Sequence, residues 1–173
     1  YRIRDVRARL VIVDNQLSAQ HETHKDALLT LFAQTVQTMS YAQLNAAQLD
    51  LKPLLSSLVE STNIKNIKTR DSVSLVKLFI NSNEQTLQEA LGAAYKQRTD
   101  ELLSLFKSGI QPNPEPINST WVKENLFETF KQIAKEFDYE LDAESIKLFV
   151  AAHHADLIEL VDVQDFDFDR PAF

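Results

Sequence analysis

SVSLVKLFINSNEQTLQEALGAAYKQRTDELLSLFKS, residues 72–108, is the stretch whose reading decides the fold. It holds one glycine, Gly92, and no proline. Val76, Ile80, Leu87, Leu91, Ala94, Leu102 and Leu105 recur along it at helical spacing, with Asn83 and Arg98 in the same register. A return every three or four residues marks one face of an α-helix. A glycine in a helix interior costs about 1 kcal/mol relative to alanine and a proline about 3 kcal/mol, and the stretch nearly avoids both. The spacing predicts one helix to about Ser108, with Asp71 or Ser72 accepting hydrogen bonds from its first free amides and Gly109 ending it.

Upstream, Tyr1 to Lys52 contains no glycine or proline. Ile3, Val6, Leu10, Val13, Leu17, His24, Leu28 and Leu31 predict a first helix from about Arg4 to Met39. A break near Ser40 leads to Tyr41 through about Ser61, where Pro53 either starts a helix or kinks one, so two short helices are expected. The polar stretch 61–70 reads as a connection. At 1.5 Å per residue each long helix reaches roughly 50 Å.

Downstream, Pro112, Pro114 and Pro116 forbid helix and favour an extended spacer, which makes 110–118 the expected domain boundary. Beyond it, Ser119 or Thr120 is placed to cap a helix carrying Trp121, Leu126, Phe127, Phe130, Ile133 and Phe137. Asp142 is placed to cap a second, with Ile146, Leu148, Phe149, Leu157, Ile158 and Val161. A helical hairpin with such phenylalanine-rich faces must be covered. No clear strand is evident, although 139–141 and the tail could pair locally. The fold class expected is all-α: an elongated antiparallel bundle with two long helices plus a C-terminal helical hairpin. Residues 1–109 form the long-helix bundle, 110–118 the linker, 119–162 the hairpin and 163–173 an acidic aromatic tail.

The absence of cysteine excludes disulfides, thiolate metal sites and cysteine nucleophiles, and suits either a reducing compartment or a periplasm. Apolar runs such as Leu10–Val13 and Leu78–Ile80 fall far below the roughly 20 residues of a membrane helix. The chain opens on Tyr1 rather than Met, so the expectation is the soluble part of a larger protein, with upstream residues as the place for any signal or anchor. Membrane association is the favoured location, with the cytoplasmic or periplasmic side open.

Net charge is −7, and its distribution is uneven. Residues 1–135 carry 16 basic and 14 acidic side chains, whereas 136–173 carry 2 basic and 11 acidic. Arg2, Arg4, Arg7 and Arg9, opposed by Asp5, suit a membrane-proximal start or contact with anionic lipid. No basic stripe persists, and the C-terminal acidity repels phosphate, so nucleic acid is not an expected partner.

Chemistry-bearing residues are sparse. His21 and His24 lie near Glu22 and Asp26, and His153 and His154 near Asp156; together they are the candidate metal ligands. The chain has neither His-x-x-x-His nor Glu-x-x-His, the usual helix-borne ligand pairs. With two glycines it has no phosphate cradle, nucleophile elbow or dinucleotide fingerprint. No catalytic residue and no cofactor are expected. His24, Asn83 and Arg98 are polar residues within apolar stripes, able to fix helix register or to converge on a small ligand.

The tail alternates acid with apolar residues, and Asp162, Asp165, Phe166, Asp167, Phe168, Asp169 and Phe173 are the expected partner-binding residues, suited to a basic, apolar groove. The function expected is a non-catalytic protein-protein interaction, assembly or sensory module that engages a protein partner or self-associates as a homodimer. The alternatives are a small-molecule-sensing bundle and a metal-dependent helical enzyme built on the two histidine pairs.

Overall fold

The computed structural model describes residues 2–62, 69–110 and 118–169, and side-chain surroundings for 18–62, 72–110 and 118–163. These residues form nine α-helices and no strand: α1 (Arg2–Thr38), α2 (Tyr41–Leu49), α3 (Lys52–Ser61), α4 (Thr69–Ser82), α5 (Glu84–Gly109), α6 (Ser119–Glu124), α7 (Leu126–Glu136), α8 (Ala143–Ala152) and α9 (His154–Asp169). The all-α expectation holds. Most of the expected linker, 111–117, lies outside the described residues. The chain divides into two compact units, Tyr1–Met39 with Leu44–Ala94, and Ser40–Gln43 with Tyr95–Phe173. Helix α5 contributes to both.

In the first unit α1, α3 and α4 pack on one another around Leu28, Phe32, Val36, Leu55, Leu58, Val59, Leu75, Val76 and Phe79. The buried face of α1 differs from the expected one. His21, Leu28, Phe32 and Val36 are buried, whereas His24 and Leu31 are only half-buried. His24 and Leu31 stand three residues after His21 and Leu28, about 60° short of a full turn, which carries them to the edge of the buried face. Pro53 starts α3, where its missing N–H is not needed, and Asp50 Oδ1 accepts the Lys52 N–H at 3.0 Å.

The stretch 72–108 is two helices rather than one, and α4 begins at Thr69, so Asp71 and Ser72 lie inside it and not at its cap. The break is at Asn83. Its own amide and its side-chain Nδ2 both donate to Phe79 O, at 3.1 and 2.9 Å, while its carbonyl accepts the Leu87 N–H that opens α5. The two backbone bonds are those of a helix ladder, and the side-chain bond to Phe79 O is the one that competes with it, as asparagine side chains do. Burial still carries through the break, at Val76, Asn83, Leu87, Leu91, Ala94 and Leu102.

The second unit packs Leu102, Phe106 and Ile110 against Val122, Leu126, Phe130, Ile133, Ile146, Phe149, Leu157 and Val161, with Tyr41 among them. Each arm of the expected hairpin is interrupted. Asn125, at φ −129° and ψ 48°, separates α6 from α7, and His153, at φ −119° and ψ 26°, separates α8 from α9. Asn118 is the first cap, accepting the Trp121 N–H at 3.1 Å, in place of Ser119 or Thr120. Asp142 caps α8 as expected, accepting the Ser145 N–H at 3.0 Å. Asp138, at φ 53°, closes α7: Tyr139 N–H reaches Ala134 O and Asp138 N–H reaches Lys135 O, the paired bonds of a Schellman ending.

Gly109 ends α5 for a different reason from the one expected. No glycine has positive φ. A Cβ at Gly109 would stand 2.4 Å from Ile133 Cγ2, so this glycine is where α5 closes on α7.

Candidate functional site

Helices α6 and α7 frame an open groove. Val122, Leu126, Phe130 and Ile133 recur at steps of four, four and three and are buried, and Trp121, one residue out of that register, falls about 100° round the helix from Val122. Trp121 is left 47% exposed, against the expectation of a core position, and Phe137, beside the last residue of α7, is 51% exposed. On one side of Trp121 lies a depression of about 180 Å³ with Gly109, Ile110, Val122 and Ile133 in its lining. A second part of the groove, which Trp121 also borders, has a charged wall, with Lys131 and Lys135 flanked by Glu128 and Glu136. Gln132 and Glu136 border both parts, and Gln132 Nε2 donates to Glu136 Oε1 at 3.4 Å. Neither lysine pairs with a carboxylate among the described residues.

Thr129 lies in the same lining. It is 9% exposed, and its hydroxyl has no hydrogen-bond partner among the described residues. A buried hydroxyl left unmatched costs about 1–3 kcal/mol, so a bound group with a matching donor or acceptor gains by meeting it.

The histidines do not assemble a metal centre: among the described residues no three of His, Cys, Asp and Glu come together to hold an ion. His21 is buried in the first unit, and its Nε2 lies 3.0 Å from Asn83 Nδ2. That amide also donates to Phe79 O, which fixes it as a donor and makes His21 Nε2 the acceptor. His21 Nδ1 sits 3.5 Å from Glu22 Oε1. His24 is half-buried.

His153 lies between α8 and α9, with Nδ1 3.3 Å from Asp156 Oδ2 and its ring tilted against that of Phe149, centroids 4.7 Å apart. His154 is exposed. Arg98 is half-buried; its Nη1 donates to Glu101 Oε2 at 2.8 Å and to the Tyr139 hydroxyl at 3.2 Å. Asn83 and Arg98, the polar groups suggested for a small ligand, are thus engaged within their own units.

Tyr41 is fully buried, hydrogen-bonded hydroxyl to hydroxyl with Tyr95 at 2.6 Å and edge-on to Phe149. Burial, then the Tyr95 hydroxyl, push its phenol far above the ordinary range, so it stays neutral.

Of the expected partner-binding residues, Asp162 is exposed and pairs with Lys123 of α6. The side chains of Asp165, Phe166, Asp167, Phe168 and Asp169 lie outside the described residues, as does Phe173, although the backbone of α9 is helical to Asp169. The side chains of Arg2, Arg4, Arg7 and Arg9 also lie outside them. No described helix is long and apolar enough to cross a membrane.

Comparison with protein families, with characterised proteins and with solved structures finds no match to this chain. The groove is therefore weighed on its own chemistry.

Proposed function

We propose that this chain is a non-catalytic helical module for protein-protein interaction or assembly, with the α6–α7 groove as a binding surface. The observation that carries the reading is Trp121: a half-exposed indole between an apolar depression and a charged wall. Tryptophan is enriched among residues that dominate binding energy, and an apolar centre with a polar border is the usual anatomy of an interface. The unmatched Thr129 hydroxyl adds a polar group that a partner can satisfy.

A photo-crosslinking residue at Gln132 tests this in extract of the cell that makes the protein, with exposed Lys52 as control position. The reading predicts discrete protein adducts at 132 that Trp121→Ala reduces at least fivefold. Equal labelling at both positions, or adducts indifferent to Trp121→Ala in a chain that keeps its helicity, overturns it.

A further inference from the structure

We infer that the α6–α7 groove takes the acidic aromatic segment 162–173 of a second copy of this chain. The inference rests on the groove being a protein-binding surface, as proposed above, and names its occupant.

Charge complementarity is the first support. Lys131 and Lys135, one turn apart on α7, have no carboxylate partner among the described residues. The segment supplies Asp162, Asp165, Asp167 and Asp169, then Arg170. Acids followed by a base complement lysines bordered by Glu128 and Glu136. Phe166, Phe168 and Phe173 alternate with those acids and offer rings to Trp121 and to the apolar lining of Ile110, Val122 and Ile133.

The second support is a contact already present. Asp162 pairs with Lys123 on α6, the helix that carries Trp121, so the first acid of the segment meets a cation of this same surface. From Asp162, α9 runs on to Asp169, about 10 Å of helix axis. The acids beyond Asp162 are the ones assigned to the groove of the other copy. Two copies that each give a segment and accept one close a two-fold dimer with no unmatched groove.

Sedimentation mass of the full chain across a concentration series tests this, with a groove-reversed variant (Lys131→Glu with Lys135→Glu) and a segment-reversed variant (Asp165→Lys, Asp167→Lys and Asp169→Lys). All substitutions fall on exposed or C-terminal positions, and circular dichroism checks that helicity is kept. The expected result is a wild-type dimer at low salt, at least tenfold weaker dimerisation in each variant alone, and a restored dimer in their equimolar mixture. Trp121, the sole tryptophan, reports seating by a blue shift on association.

A monomeric wild type, a dimer that survives both reversals, or a mixture that stays monomeric overturns the inference. Crosslinks at Gln132 that persist in such a monomer leave the groove as a surface for another protein; their absence as well removes both readings.

Discussion

Ser145 Oγ accepts the N–H of Ala42, 103 residues away in sequence, at 3.0 Å and donates its own proton to Asp142 Oδ1 at 2.6 Å, so one fully buried hydroxyl serves the starts of two helices. Ala42 is in the first turn of α2, where amides have no partner within the helix, and Asp142 caps α8. Ser145→Ala is expected to cost about 1–3 kcal/mol, because it leaves a backbone amide unmatched and deprives Asp142 of a donor. Urea unfolding of the single and double variants with Asp142→Ala should show costs that do not add, as members of one hydrogen-bond chain behave.

The same cluster sets an acid response. Burial on its own raises the Asp142 carboxyl, but hydrogen bonds from the Ser145 hydroxyl and amide outweigh it and hold the group below its ordinary range. A carboxyl lowered in the folded state contributes stability that is complete above its unfolded value, near pH 4, and is lost as pH falls through the folded value. Asp142→Asn keeps an acceptor for the Ser145 amide and removes that titration. Its stability should fall less steeply than that of the wild type on acidification below about pH 4, read by thermal melts across pH.

How far the fold was legible depends on what kind of signal marks each boundary. Pro53 and Asp142 act through properties of one residue type, a missing N–H and a side-chain acceptor, and both mark helix starts at the expected places. At Asn83 and Asn125 the side-chain amide donates to the carbonyl four residues back, a local bond that any asparagine can make but few do, and at His153 the break shows only in the backbone, at φ −119° and ψ 26°. At Asn83 the buried register continues through the break, which hides it from a periodicity argument. The groove was hidden in a different way. Trp121 sits outside the core because it is one residue out of step with Val122, Leu126, Phe130 and Ile133, and a stripe that starts from the largest apolar residue puts that indole inside. His21 was passed over for His24 by a seam one step out of phase.

His21 and Asn83 form a buried polar pair whose halves depend on each other. Asn83→Leu leaves His21 Nε2 without its donor, and His21→Leu leaves one Asn83 N–H unmatched while Phe79 O still takes the other. Each single change is expected to cost about 1–3 kcal/mol. The double change to leucine removes both polar groups together and should cost clearly less than the two singles summed. A double-mutant cycle in urea reads the coupling, and strict additivity would contradict the bond.

Two glycines should answer the same substitution with opposite signs. Gly92 lies within α5 with nothing within 4 Å of where a Cβ would be, so Gly92→Ala is expected to stabilise by about 0.5–1 kcal/mol through the reduced freedom of the unfolded chain. At Gly109 the added carbon meets Ile133 Cγ2, Cγ1 and Cδ1 at 2.4, 2.5 and 2.7 Å. Those atoms are held in the core around Phe130 and Phe106, so Gly109→Ala must push α5 and α7 apart, at about 1–3 kcal/mol. Ile133→Ala removes all three clashing atoms and is itself destabilising by about 2–5 kcal/mol, since Ile133 is 4% exposed. Placed together, the two changes should cost less than their sum, because the new methyl fills part of the space that Ile133 leaves. Thermal melts of the four chains decide it: a Gly109→Ala protein as stable as the Gly92→Ala protein would mean that α5 does not close on α7 at this point.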